Sequence, residues 1–195
     1  MSDKPIIVAI CGKSATGKDT LAKLLYNDLK RQGITANLII SDTTREPRDN
    51  EQNGKDYNFL DKVSFLTKAI NKEYLEYTKF RGWYYGTPKS AIQEDAINIG
   101  VFNVQGLRSL LDYISDYKIL VVYLETDLKT RLKRSYEREH KWKLEFFRRA
   151  WVDRRDFEGI QDLLWKFKNH IYCDGYFTVN LQLKKVEDRL KMAME

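Results

Sequence analysis

Residues 12–20 of this 195-residue chain read GKSATGKDT, which places Gly12, Gly17 and Lys18 at the spacing G-x-x-x-x-G-K. The flanks of that segment leave few folds open. Before it, Pro5 to Cys11 is a continuous apolar run, the pattern of a strand buried on both faces of a parallel sheet. After it, Leu21, Leu24, Leu25 and Leu29 form one stripe of a helix running from Lys18 to about Arg31, and Gly33 ends that helix. Glycines between a strand and a helix let the backbone curl so that several N–H groups point inward at an anion. The helix N-terminus adds a partial positive charge and Lys18 a full one. The stretch Gly12, Lys13, Ser14, Ala15, Thr16, Gly17, Lys18, Asp19 and Thr20 therefore reads as a phosphate-holding loop.

The rest of the chain fits an α/β architecture. Asn37 to Ser41 reads as a second strand, and strand–helix–strand in this order points to a parallel sheet. Residues 42 to 58 are polar and rich in Asp, Asn, Arg and Thr. A helix pattern (Lys62 to Lys72) and two aromatic-rich strands (Tyr74 to Phe80, Trp83 to Tyr85) follow, together a small α+β insert. Ala91 to Asn98 reads as a helix leading back to the sheet. Ile99 to Val104 and Ile119 to Leu124 read as buried strands joined by a helix through Leu107, Leu110 and Leu111. Residues 127 to 157 are basic and helical. Tyr176 to Leu181 is a last strand candidate and Lys184 to Met194 a last helix.

Composition narrows the class. The hydrophobic fraction of 43% supplies a core, and the net charge of +6 suits an anionic ligand, mononucleotide or nucleic acid. No apolar run approaches the roughly 18 residues of a membrane span. The N-terminus lacks the basic region and cleavage site of a signal peptide. Two cysteines, Cys11 and Cys173, make neither a disulfide framework nor a metal cluster. A cytoplasmic setting with no membrane partner is expected, with a monomer or homodimer as the assembly.

The polar insert carries the second informative pattern. Thr43-Thr44-Arg45-Glu46-Pro47-Arg48 is followed by Asp56-Tyr57-Asn58-Phe59, then Glu73-Tyr74-Leu75-Glu76, then Tyr84-Tyr85-Gly86-Thr87. A phosphate monoester needs cations and hydroxyls in a fixed cluster. Arg45 and Arg48 offer forked donors, and Tyr57 and Tyr85 offer phenolic ones. Together with the phosphate loop, in this order and spacing, these motifs resemble guanylate kinase over roughly the first half of the chain. The resemblance implies a P-loop kinase fold: a parallel sheet flanked by helices (core 1–41, 97–126 and 157–195), a GMP-binding insert (42–96) and a helical lid (127–156). It implies transfer of the γ-phosphoryl group of ATP to GMP or dGMP, with Mg²⁺. It places ATP on residues 12–20 and the GMP phosphate on Arg45, Arg48, Tyr57 and Tyr85. It places guanine on Ser41, Glu76 and Thr87, with Gly86 and Asn103 beside them. A carboxylate accepts from guanine N1–H and N2–H together, and adenine has no N1 donor, so AMP would leave Glu76 unpaired.

The lid and two departures complete the reading. Arg131, Arg134 and Arg138 fall on one helix face, and Arg149 matches the family's second lid arginine. With Lys18, the arginines Arg134, Arg138 and Arg149 are the candidates for charge stabilisation during transfer. Arg134 and Arg138 compete for the first lid position because the spacing is one residue short. A solvated basic face accounts for these arginines equally well. The family's D-x-D-x-Q-G is here Val101-Phe102-Asn103-Val104-Gln105-Gly106, so both acids are missing. Position 19, where the loop usually has a hydroxyl, is Asp19, with Thr20 next. Two readings of Asp19 stand side by side. One is a cap of the helix's first turn. The other is a hard oxygen ligand that, with Thr20, holds Mg²⁺ through water in place of the lost acid. Broader (deoxy)nucleoside monophosphate kinases, a silent binding module and nucleic-acid binding by the basic helices are the rival functions. The intact loop argues against the second, and the third rests on charge alone.

Overall fold

The N-terminal apolar run becomes β1 (Ile6–Gly12), the central strand of a five-stranded parallel sheet. The computed structural model describes residues 4–48, 51–80, 82–139, 144–174 and 179–194. No helix among them is long and apolar enough to cross a membrane. Successive β1 side chains feed opposite cores, as the twofold period of a strand requires. Ile7, Ala9 and Cys11 pack into one, and Val8 and Ile10 into the other.

The helix α1 (Lys18–Arg31) follows the loop, with Leu21, Ala22, Leu25 and Leu29 buried. β2 (Ala36–Leu38) pairs with β7 (Ile97–Val101), β7 with β1, β1 with β8 (Lys118–Glu125), and β8 with β9 (Asn169–Asp174). α1 and α7 (Val179–Met194) cover one face through Leu25, Leu29, Val186 and Leu190. α3 (Val104–Leu110) and α6 (Ile160–Leu164) cover the other. Cys11 and Cys173 are both buried and free, and strand β8 lies between their strands. Two strand spacings put them about 10 Å apart, beyond disulfide reach.

Between β2 and β7 the chain builds a second sheet in the order β4-β3-β6-β5. Its strands are β3 (Asp42–Thr43), β4 (Asn58–Phe59), β5 (Tyr74–Phe80) and β6 (Trp83–Pro88). α2 (Lys62–Ile70), capped by Asp61, buries Phe65 between Tyr74 (ring centroids 4.6 Å apart) and Tyr84 (5.5 Å). Under this layer the buried Asp42 carboxylate accepts from Asn58, Lys68 and Tyr74 at 2.8–2.9 Å, which satisfies a charge taken fully out of water. Leu75 on β5 joins Phe102 and Val104 of the main core.

Four expected elements differ. The strand read at 37–41 ends at Leu38, because the chain then leaves the main sheet for the second one. No helix spans 91–98. A single 3₁₀ turn (Lys89–Ala91) precedes β7, and the side chain of Asn98, buried inside the core, accepts from Gln93 N and donates to the carbonyls of Ile6, Gln93 and Ala96. The third main strand stops at Val101, since Asn103 caps α3 by accepting from Gly106 N at 2.7 Å. The last strand is Asn169–Asp174, where Ile171 and Cys173 face one core, and Val179 to Leu181 lies in α7. Residues 175–178 fall outside the described residues.

Candidate active site

The loop at the end of β1 is shaped by two glycines. A Cβ on Gly12 would sit 2.5 Å from the backbone oxygen of Leu124, so only glycine fits. Gly17, at φ 100°, holds a left-handed conformation as the residue entering α1. Thr16 Oγ1 and Lys18 Nζ both donate to Lys13 O, at 2.9 and 3.0 Å, which closes the loop on itself. Burial pulls the Lys18 ammonium below its ordinary pKa, and the charge of Asp19 partly offsets this.

The expected phosphate-monoester residues come together in the second sheet. Both oxygens of Glu51 accept from Arg45 Nη2, at 3.0 and 2.8 Å, and Arg45 Nη1 donates to Glu46 O at 2.6 Å. Arg48 N donates to Glu51 at 3.0 Å, and Arg48 Nη1 lies 3.6 Å from it. The Arg45 guanidinium also lies over the Tyr57 ring at 5.6 Å, and Tyr57 meets Tyr85 edge-on at 6.2 Å. Burial, then the charge of Asp19, pushes the Tyr57 phenol up to about 12, so it stays a donor.

Above this cluster Thr87 Oγ1 donates to Glu76 Oε1 at 2.7 Å, the pairing of the two expected base readers. Burial pushes the Glu76 carboxyl up, opposed by the hydrogen bonds from Thr87. A Cβ at Gly106 would lie 3.1 Å from Glu76 Oε2, so the helix is bare where the carboxylate approaches it.

These groups share one open cleft of about 1390 Å³. Gly12, Ser14 and Lys18 line its loop end. Arg45, Arg48, Tyr57 and Tyr85 line it too. So do Ser41, Glu76, Gly86 and Asn103. Thr16 and Thr87 are buried, Lys13, Ala15 and Gly17 are half-buried without lining the cleft, and Asp19 and Thr20 are exposed on the first turn of α1. Gly86 is small for packing: a Cβ there would meet Phe65, Tyr74 and Tyr77 at 3.0 Å. Val101, at the position of the family's first acid, also lines the cleft.

The basic helices α4 (Leu128–Glu139) and α5 (Leu144–Asp156) reach the loop. Arg131 Nε donates to Ser14 O and Arg134 Nη1 to Thr16 O, both at 3.0 Å. Asp153 accepts from Ser14 N at 2.8 Å and Ser14 Oγ at 3.2 Å, and from Arg131 Nη2 at 3.2 Å. The side chains of Arg138 and Arg149 lie outside the described residues.

A family profile described as guanylate kinase matches residues 2–150. This chain belongs to the guanylate kinase family. A guanylate kinase of Ehrlichia canis is 35% identical over 191 residues, which cover 95% of this chain and 84% of the relative. One of Ehrlichia chaffeensis is 34% identical over 143 residues, 71% of this chain and 66% of that protein. The crystal structure of guanylate kinase from Anaplasma phagocytophilum superposes with a TM-score of 0.67 at 17% identity, covering 100% of this chain and 90% of that one. At that identity the likeness speaks for the fold, an α/β P-loop kinase fold.

Three residues at this candidate site were not given a role from sequence. Glu51 and Asp153 carry ordinary surface or helix identities, and only their contacts give them a place. Arg131 was read as part of a basic stripe. It is buried beside Ser14.

Proposed function

We propose that this chain transfers the γ-phosphoryl group of ATP to GMP or dGMP, giving ADP and GDP or dGDP, with Mg²⁺. One observation carries the reading. A phosphate loop, a two-arginine, two-tyrosine monoester cluster and the half-buried Glu76, held from behind by the buried Thr87, meet at one cleft.

On this reading ATP lays its phosphates on the loop amides and Lys18. Arg45, Arg48, Tyr57 and Tyr85 hold the GMP phosphate, and Glu76, with Ser41 and Thr87, reads guanine. A GMP phosphate oxygen then attacks the γ-phosphorus as the β–γ bridging bond breaks, and the electron pair leaves with ADP. No general base is needed, because the nucleophile is already an anion. The residues position two nucleotides and stabilise charge. Arg134, which donates to Thr16 O of the loop, is proposed as a lid arginine, and Arg138 and Arg149 are proposed to join it. The units expected from sequence, core, insert 42–96 and lid 127–156, are proposed to move as such when the nucleotides bind.

Mg²⁺ is proposed to sit beside Asp19 and Thr20. One exposed carboxylate and one exposed hydroxyl are a donor set that fits a metal held mostly by nucleotide oxygens and water. The metal would neutralise phosphate charge. The charge of Asp19 is felt at both Lys18 and Tyr57, which supports a place for it near the phosphates.

The test is ADP release from ATP with GMP, dGMP, AMP, CMP, UMP and dTMP, each with and without Mg²⁺. Turnover confined to GMP and dGMP is expected. Turnover across several bases would replace the reading with a broad monophosphate kinase, and GMP binding without turnover would replace it with a binding module.

A further inference from the structure

The mechanism leaves one group unused. Asp153, on the last turns of α5, places its carboxylate on the phosphate loop itself. It takes the Ser14 amide at 2.8 Å and the Ser14 hydroxyl at 3.2 Å across 139 residues of chain. Its side chain is 14% exposed, and that of its third partner, Arg131, 5%. Asp153 also stands close enough to the Lys18 ammonium to help hold it charged. A loop amide and a loop hydroxyl at the cleft, an arginine and the loop lysine are donors of the kind a phosphate oxygen takes. The carboxylate therefore has the chemistry and the partners of a bound phosphate.

From this we infer that Asp153 is an internal phosphate surrogate. It closes the loop while ATP is absent and has to leave when the phosphates arrive. The inference rests on the reading that this loop binds ATP phosphates. Its consequence is a competition inside one molecule. The Ser14 amide cannot serve both anions, so the affinity measured for a polyphosphate is the intrinsic affinity multiplied by the fraction of molecules in which Asp153 has let go. A contact closed nine times in ten weakens observed binding about tenfold. Arg131 is coupled to the exchange. It bonds both Ser14 O and Asp153, so release of the carboxylate frees one end of its guanidinium at the moment the phosphates appear. The device gives the lid a fixed resting place and ties its opening to nucleotide.

The sign of the effect separates this role from a structural one. A residue that only supported the lid or the loop would, on removal, weaken ligand binding. A competitor, on removal, strengthens it. The experiment is calorimetric titration of the full chain with inorganic tripolyphosphate in the presence of a chelator, then with ATP and Mg²⁺. It uses the wild type, Asp153→Asn and Asp153→Ala, with circular dichroism confirming the fold. Two variants are used so that a folding defect in one leaves the other to decide. Asp156→Asn removes an equal charge from the same helix end without touching Ser14 and serves as the control.

Tripolyphosphate binding about five- to tenfold tighter in the Asp153 variants, with Asp156→Asn near wild type, is the expected result. Equal or weaker binding in the Asp153 variants overturns the surrogate and leaves the loop reading intact. Equal tightening in Asp156→Asn reduces the effect to net charge and overturns it too. Weakening confined to the Mg²⁺ arm would make Asp153 an aid to the metal instead. Absence of binding in every protein, wild type included, would overturn the loop reading itself.

Discussion

Both oxygens of Glu51 close on one nitrogen of Arg45, Nη2, at 3.0 and 2.8 Å, and the same carboxylate takes the backbone amide of Arg48 at 3.0 Å. One acid thus fixes the two arginines expected to hold the GMP phosphate. It removes positive charge from the site but spares the site the cost of ordering a long side chain, up to about 2 kcal/mol for an arginine. With Arg45 only 10% exposed, its loss would also leave a mostly buried cation without a counter-charge. Orientation outweighs neutralisation on this count. Glu51→Gln is expected to raise KM for GMP about tenfold, equivalent to about 1.4 kcal/mol, with KM for ATP unchanged. Steady-state kinetics with each substrate varied checks it. A fall in KM for GMP would show that Glu51 mainly competes with the phosphate.

Gly106 sets the room available to Glu76. Alanine in its place would bring Cβ to 3.1 Å from Oε2, a few tenths of an ångström too near. In a helix interior Gly→Ala ordinarily gains about 1 kcal/mol. Here the gain is offset by displacement of a carboxylate pinned to Thr87. The melting temperature of Gly106→Ala is expected to stay within a few degrees of wild type. KM for GMP should rise several-fold and KM for ATP should not move. A stabilised variant with unchanged GMP kinetics would mean that the carboxylate shifts freely.

The parts of this molecule legible in its sequence are those whose cause is local. The loop is local because a curled backbone needs glycines at fixed places, and Gly12 and Gly17 stand there. α1 was legible, its end only approximately, because its stripe, its entering glycine and Gly33 agree. Pairings across the chain were not legible. Asn98 sits in a strand and orders the segment before it with its side-chain amide, so a stretch with helix-like composition became a turn. The strand Asn169–Asp174 is an edge strand carrying His170, whose ring packs on Trp165 at 5.1 Å, and mixed polarity hid it. Arg45, Tyr57, Glu76 and Thr87 were legible as a set through their motifs. Glu51 and Asp153 do their part through neighbours 6 and 139 residues away, which no local pattern carries.

Asp19 stands in the first turn of α1, exposed, with its charge felt at both Lys18 and Tyr57. If it orders the hydration shell of Mg²⁺, Asp19→Ala shifts the activating Mg²⁺ concentration upward and lowers kcat. A lost contact between a carboxylate and a metal-bound water is an ion-assisted hydrogen bond, worth about 1.5–3 kcal/mol, or roughly a 10- to 100-fold effect on kcat. Asp19→Asn should fall between the two. A Mg²⁺ activation curve at saturating ATP and GMP checks it. If Asp19 only caps the helix, the curve stays in place and the melting temperature alone drops, because an acid near a helix N-terminus stabilises by about 0.3–1 kcal/mol.

Glu76 gives the site a pH dependence whose sign can be worked out. Burial raises its carboxyl pKa above the ordinary glutamate value of 4.5, with the Thr87 bonds opposing. Between the unfolded and folded values the native chain therefore holds more protons than the unfolded one, and stability falls as pH rises through that window. Guanine imposes the opposite preference, because N1–H and N2–H need the ionised carboxylate as acceptor. GMP binding should thus expel a proton from Glu76. The Kd for GMP should climb toward acid from a pH higher than an exposed glutamate would set. Calorimetry in buffers of different ionisation enthalpy reads the released proton directly. Glu76→Gln should lose that proton release and flatten the acid limb. It should also lower kcat/KM for GMP about 100-fold, since one acceptor pair becomes an acceptor facing a donor, at a cost of about 2–3 kcal/mol. The ATP profile should be the same in both proteins. An acid limb that survives in Glu76→Gln would assign the titration to the GMP phosphate, and Glu76 would then be ionised throughout.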